Sequence, residues 1–184
     1  MKRGTALAVW LLVAIWIGAM HLLAAVPPPV IQSILIGLTV ILLCLYWKSH
    51  LLDWVQDLDI RILILFHVTR FVGFYFLYLY AQGRLPYAFA VPGGWGDIAV
   101  AAMAIAVASY PVPRIVFVWN VIGLIDILLV VATAARLNPR NPGSMSALTE
   151  LPLSLLPTFL VPLIIFLHVV IFTRVRRTFT AIAA

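Results

Sequence analysis

The sequence predicts an all-α protein, a polytopic membrane bundle of six transmembrane helices with both termini in the cytoplasm. Three observations lead there. The 184 residues are 65% hydrophobic and only 10% charged, with a mean hydropathy of +1.14. Soluble domains sit nearer half apolar and a quarter charged, so this much apolar surface must face lipid. The apolar residues fall into six runs separated by prolines, glycines or charges. Basic residues also collect on one set of connections. Lys2, Arg3, Lys48, Arg61, Arg114, Arg174, Arg176 and Arg177 lie on one side, against Arg84, Arg136 and Arg140 on the other. The positive-inside rule puts the richer side, with both termini, in the cytoplasm.

The first run, residues 6–26, follows Met1-Lys2-Arg3 as a signal peptide would. It is longer than a signal-peptide core and has no small-residue cleavage site after it, so a retained span is expected. Pro27, Pro28 and Pro29 end it in a tight turn. Residues 30–47 form the second span, closed by the interfacial signature Tyr46-Trp47-Lys48. Residues 49–59 alternate as an amphipathic segment, read as a short interfacial helix leading into the third span at 62–80. Residues 81–96, with Pro92-Gly93-Gly94-Trp95-Gly96, read as a loop. Gly94 and Gly96 then shape its turn, and Asp97 caps the helix that follows.

That fourth span, 97–110, is short and rich in alanine, as suits a central packing helix. The fifth covers 115–135. The sixth, 151–172, carries Pro152, Pro157 and Pro162. No repeat or boundary divides the chain, so residues 1–184 read as one domain. The formal charge of +6 does not indicate a nucleic-acid partner, because the basic residues flank apolar spans where they meet lipid headgroups. Cys44 is the one cysteine, which leaves neither a disulfide framework nor a thiolate cluster.

Polar residues inside the spans carry the functional signal. An arginine at membrane depth costs at least about 2.5 kcal/mol and marks a functional site by default. Arg70 is such a residue. At ~1.5 Å of rise per residue, His67, Asn120 and His168 each lie ~9 Å from the cytoplasmic end, Arg70 ~13 Å and Asp126 ~18 Å. Two layers follow: His67, Asn120 and His168 in one, Arg70 and Asp126 in the other. His67, Arg70, Phe71 and Phe74 share a helical face at α spacing, and so do Asn120, Gly123 and Asp126. If those faces meet, Arg70 pairs with Asp126. The pair serves either to hold two helices in register or to line a path for a substrate or proton.

Two further chemistries are open to these residues. His67 and His168, at one depth, could act as the two axial ligands of a b-type haem. Gly94-Trp95-Gly96-Asp97 spells the GxGD of intramembrane aspartyl proteases, which need two carboxylates sharing a proton. Asp126, the other intramembrane acid, is expected at another depth, so a protease is not expected and no catalytic residue is assigned. No set of residues points to a protein-held metal ion.

The order of an Arg-containing span, Gly83-x-Leu85-Pro86, the Gly-x-Gly-Asp sequence, Trp119-Asn120-x-x-Gly123 and a final proline-rich helix with His168 resembles a group of small bacterial integral membrane proteins. The likeness covers roughly residues 65–175. It implies six spans and a bacterial cytoplasmic membrane, and it implies no activity. Three functions are therefore expected in turn: a small transporter or proton/ion-path protein using His67, Arg70, Asn120, Asp126 and His168; a non-catalytic subunit or homodimer making contacts through its alanine-rich helix; and a haem electron carrier.

Overall fold

Apolar runs of this length, with every backbone group needing an internal partner in lipid, fold as helix. The computed structural model describes residues 3–48, 54–137 and 142–183, and those residues are helical with no strand among them. The first helix is α1 (Arg3–Ala19). After it the chain turns at His21, in the left-handed region at φ 52°, into a 3₁₀ turn, Leu22–Ala25. Then come α2 (Pro28–Lys48), the single turn α3 (Trp54–Asp57) and α4 (Ile60–Leu65). A 3₁₀ stretch, Phe66–Val72, continues α4 without a break into α5 (Gly73–Ala81). The remainder is α6 (Tyr87–Ser109), α7 (Pro113–Leu137), a 3₁₀ segment Pro142–Thr149, a π-turn Leu156–Leu160 and α8 (Val161–Ala183).

Five of the described helical segments are long and apolar enough to cross a membrane: Pro28–Lys48, Ile60–Ala81, Tyr87–Ser109, Pro113–Leu137 and Leu156–Thr180. At 17 residues, α1 is shorter. Its predicted end at residue 26 moves back, because the chain leaves the α conformation at His21. The three prolines start a helix rather than only ending one: Pro28 opens α2, where a missing N–H and a fixed φ cost nothing. Of the interfacial helix expected over 49–59, residues 49–53 lie outside the described residues. The part that is described is the turn α3, followed by Asp59, whose carboxylate caps α4 by accepting from the Arg61 N–H at 2.9 Å.

The largest correction concerns residues 81–96. The turn is confined to about residues 82–86, where Gly83 takes φ +70° and the Arg84 N–H reaches back to the Leu79 carbonyl at 2.9 Å. This is a glycine-terminated helix end. From Tyr87 the chain is helical again, so Gly94, Gly96 and Asp97 lie inside α6 and neither form a turn nor cap a helix. Glycine and proline are tolerated in a membrane helix when neighbouring helices fill the space they leave. Gly73 and Gly94 do this for each other: a Cβ on either would run into the other's carbonyl oxygen. Here α5 and α6 cross with their backbones in contact.

Helix α6 is the central one, packed on α4, α5, α7 and the Phe66–Val72 stretch. Ala101, Ala104 and Ala108 are buried within the chain by this packing. The apolar core forms two clusters. One includes Leu63, Ile64, Val100, Ala104, Val116 and Trp119; the other includes Phe76, Leu79, Phe89, Ala90 and Ile127. On each of these three helical segments the polar residues sit between the members of the two clusters.

Prolines set the entry of α8. Pro162 has no N–H to offer the carbonyl of Thr158, and the π-turn forms just before it. The indole N–H of Trp10 donates to that carbonyl at 2.9 Å, and its ring packs edge-on against Phe159. Trp10→Phe keeps the ring and removes the donor. It is expected to lower stability by about 1–3 kcal/mol, the cost of an unmet buried carbonyl. Thermal unfolding in detergent measures this, and an unchanged midpoint would refute the assignment.

Candidate functional site

The site begins with backbone geometry. Residues in a 3₁₀ helix repeat every three positions, so side chains at i and i+3 align along one edge. Through and beyond the Phe66–Val72 stretch the buried positions are Ile64, His67, Arg70, Gly73, Phe76 and Leu79. The three-residue period corrects the expected face: Phe71 is half-buried and Phe74 is exposed, while Gly73 and Phe76 take their places beside His67 and Arg70. Runs of 3₁₀ helix longer than three or four residues are uncommon, and in mid-helix they often mark a functional hinge or a sequence under strain.

Arg70, 1% exposed, is held by three groups from two other helices. Its Nε donates to Asp97 Oδ1 of α6 at 2.6 Å. Nη1 donates to the Gly123 carbonyl of α7 at 2.9 Å, and Nη2 pairs with Asp126 Oδ2. The structure thus brings Arg70 and Asp126 together and adds Asp97 to them. The two acids differ in access. The Asp97 side chain is 4% exposed and that of Asp126 22%. Asp126 lies over Gly96, where a Cβ would collide with Oδ1, and its helix carries the exposed residues Ile122, Ile125 and Leu129. One positive charge faces two negative ones.

The second layer adjoins the first. His168 Nδ1 hydrogen-bonds Asn120 Oδ1 at 2.8 Å, and Asn120 Nδ2 donates to the His168 carbonyl at 3.0 Å. The His67 ring lies 4.1 Å from that of His168 and meets Trp119 edge-on at 5.1 Å. Trp119 in turn donates to the Val100 carbonyl on α6. Both His67 nitrogens and His168 Nε2 are buried without a hydrogen-bond partner among the described residues. Gly123 joins the layers. Its carbonyl accepts from Arg70, and its missing side chain leaves room for the His168 ring, since a Cβ there would stand 2.7 Å from Cε1.

These distances decide the alternatives. The two axial imidazoles of a haem approach one iron from opposite faces of a flat macrocycle. The His67 and His168 rings are packed against each other, with no slot for a macrocycle, so the arrangement does not fit haem. An aspartyl protease needs two carboxylates around one proton and a water. Asp97 and Asp126 do approach each other, against the expectation that depth separates them. The Arg70 guanidinium stands between them, where the shared proton and water would be. Among the described residues no group of three or more His, Cys, Asp or Glu side chains is placed to hold a metal ion.

The sequence places Asp97 at a helix end rather than among the partners of Arg70, and it does not mark Gly73, Gly94, Gly96 and Gly123 as the places where helices close on the site. A signal for Asp97 existed. A fourth span of 97–110 falls well short of the ~20 residues a bilayer requires, and extending it backwards to Pro86 makes up the difference. Outside the bundle, Arg84 pairs with Glu150 at 2.6 Å; both are about half exposed.

An apolar cavity of about 70 Å³ ends on the site. Arg70 and Asp97 lie at its floor, and Leu35, Phe76, Phe89, Ile127, Val131 and Val161 form much of its wall.

No curated protein and no solved structure matches the chain. A family model described as a domain of unknown function, DUF8737, matches residues 27–176, which takes in every residue of both polar layers. The chain belongs to the DUF8737 family.

Proposed function

We propose that this is a six-span protein of the bacterial cytoplasmic membrane, with both termini in the cytoplasm, that passes a proton or small cation through the Arg70 site. Helix α1 is the remaining span in this reading: its 17 residues extend ~25 Å at the α-helical rise. The orientation follows from the basic residues at the Lys48, Arg61, Arg114 and Arg174 end.

One observation carries the functional reading: a single buried guanidinium held by two carboxylates from two helices. With both acids ionised the set has a surplus negative charge, which is expensive to hold in a low-dielectric interior. A proton or monovalent cation restores neutrality, so the site is poised to take one up and to release it. Asp126, with its partial exposure, is the group that exchanges. On the other side of Arg70, the unpartnered ring nitrogens of His67 and His168 supply groups able to relay a proton onward. A register pin requires one acid per arginine; the second acid favours exchange.

The test is proton flux into potassium-loaded liposomes containing the purified protein, driven by potassium efflux through added valinomycin and read with an enclosed pH dye. Wild-type vesicles are expected to acidify, and Asp126→Asn to reduce the rate roughly tenfold or more, as loss of an essential proton carrier does. Equal rates in the two, or no flux above protein-free vesicles, would overturn the proposal.

A further inference from the structure

The cavity identifies what the exchanged species faces. Its floor is the Arg70–Asp97 pair and its walls are apolar, while Gln32 at the start of α2 and Thr149 before α8 are polar residues at its far end. The volume of about 70 Å³ is enough for several waters, at roughly 10–15 Å³ each, or for a chain of a few carbons. Among the described residues Asp97 is the one acid lining it; Asp126, whose side chain is 22% exposed, is not among the lining residues. The two carboxylates bound to one guanidinium therefore meet different surroundings.

Resting on the proton-exchange reading above, we propose that the cavity binds a small monovalent organic cation, a protonated amine on a short apolar body, and that its binding expels the proton from Asp126. Charge balance dictates the coupling. Without ligand, Arg70, ionised Asp97 and protonated Asp126 sum to zero. An ammonium group arriving at Asp97 would make the set positive, and loss of one proton from the Asp126 carboxyl returns it to zero. One cation enters and one proton leaves, with no bond to carbon made or broken. An anion would bring a second negative charge to a guanidinium whose Nε and both Nη atoms already donate. A neutral alcohol would displace no proton. The other titratable side chains facing the set, His67 and His168, lie on the side away from the cavity and do not line it.

The purified protein in detergent micelles is titrated calorimetrically with n-butylammonium, n-butanol and n-butyrate, each in two buffers of different ionisation enthalpy. Butylammonium is expected to bind at least roughly tenfold more tightly than the other two, and to release about one proton per molecule bound. Val131→Trp fills the cavity away from the charged groups. It is expected to abolish butylammonium binding. Butanol or butyrate binding as tightly as butylammonium, binding with no proton released, no binding by the wild type, or undiminished binding in Val131→Trp would each overturn the proposal. A protein that conducts protons but fails these titrations loses the amine site and keeps the proton path. One that binds butylammonium with proton release but shows no flux loses the path alone.

Discussion

Arg70→Met is expected to destabilise the protein by about 3–5 kcal/mol, the usual cost of removing one partner from a buried ion pair. The physical reason is what remains: Asp97 and Asp126, from α6 and α7, turned toward a space with no positive charge. Protonating both would relieve the repulsion, but each carboxyl would still lack the donor it has now. The triple variant Arg70→Met/Asp97→Asn/Asp126→Asn removes all the charges and is expected to recover most of the loss. Buried ionic groups replaced together by neutral ones of similar size often cost nothing. Thermal unfolding in detergent, followed by circular dichroism, ranks the three proteins. A single variant as stable as the wild type, or a triple variant as unstable as the single, would show that the charges are not energetically coupled. The triple variant also separates two roles. If it is stable and conducts no protons, the charges serve exchange; if it is stable and conducts, they serve only to align helices.

Legibility in the sequence followed the physics of each signal. Composition and apolar runs reveal helix and bilayer because both are averages over some twenty residues, and local irregularities do not change them. Arg70 stood out because a charge in such a run is costly enough to need a reason. Its pairing with Asp126 was accessible from depth together with the polar face of each helix, since rise per residue is nearly constant along any helix. The rest of the face was less accessible. An α period groups His67 and Arg70 with Phe71 and Phe74, whereas the 3₁₀ stretch groups them with Gly73 and Phe76. Nothing local in FHVTRFV requires three residues per turn; the tertiary fit around Arg70 accompanies it. Asp97 was hidden by its neighbours. Pro92, Gly93, Gly94 and Gly96 are turn residues in water, and in this bundle they are positions of close helix contact. A local pattern cannot distinguish the two, because the difference lies in what packs opposite.

That distinction leads to the second large effect, which involves no charge. Gly73→Ala is expected to destabilise the protein by about 1–3 kcal/mol, the range for overfilling a packed interior, and to depress proton flux as well. The added Cβ would run into the Gly94 carbonyl oxygen and stand 3.0 Å from the Asp97 Cβ. A side chain can rotate away from such a contact; a helix backbone cannot, so α5 and α6 must separate. Arg70 lies one turn from Gly73, and Asp97 lies one turn from Gly94. Separation therefore lengthens the 2.6 Å contact between Nε and Oδ1. Gly37→Ala is the control. It sits in α2 with nothing within 4 Å of its added Cβ, and the same methyl there is expected to be neutral or stabilising by up to about 1 kcal/mol through helix propensity. If the two variants behave alike in unfolding and flux, close approach of α5 and α6 does not control the site. If Gly73→Ala alone fails, the position of Asp97 against Arg70 matters as well as its charge, because both variants retain all three charged groups.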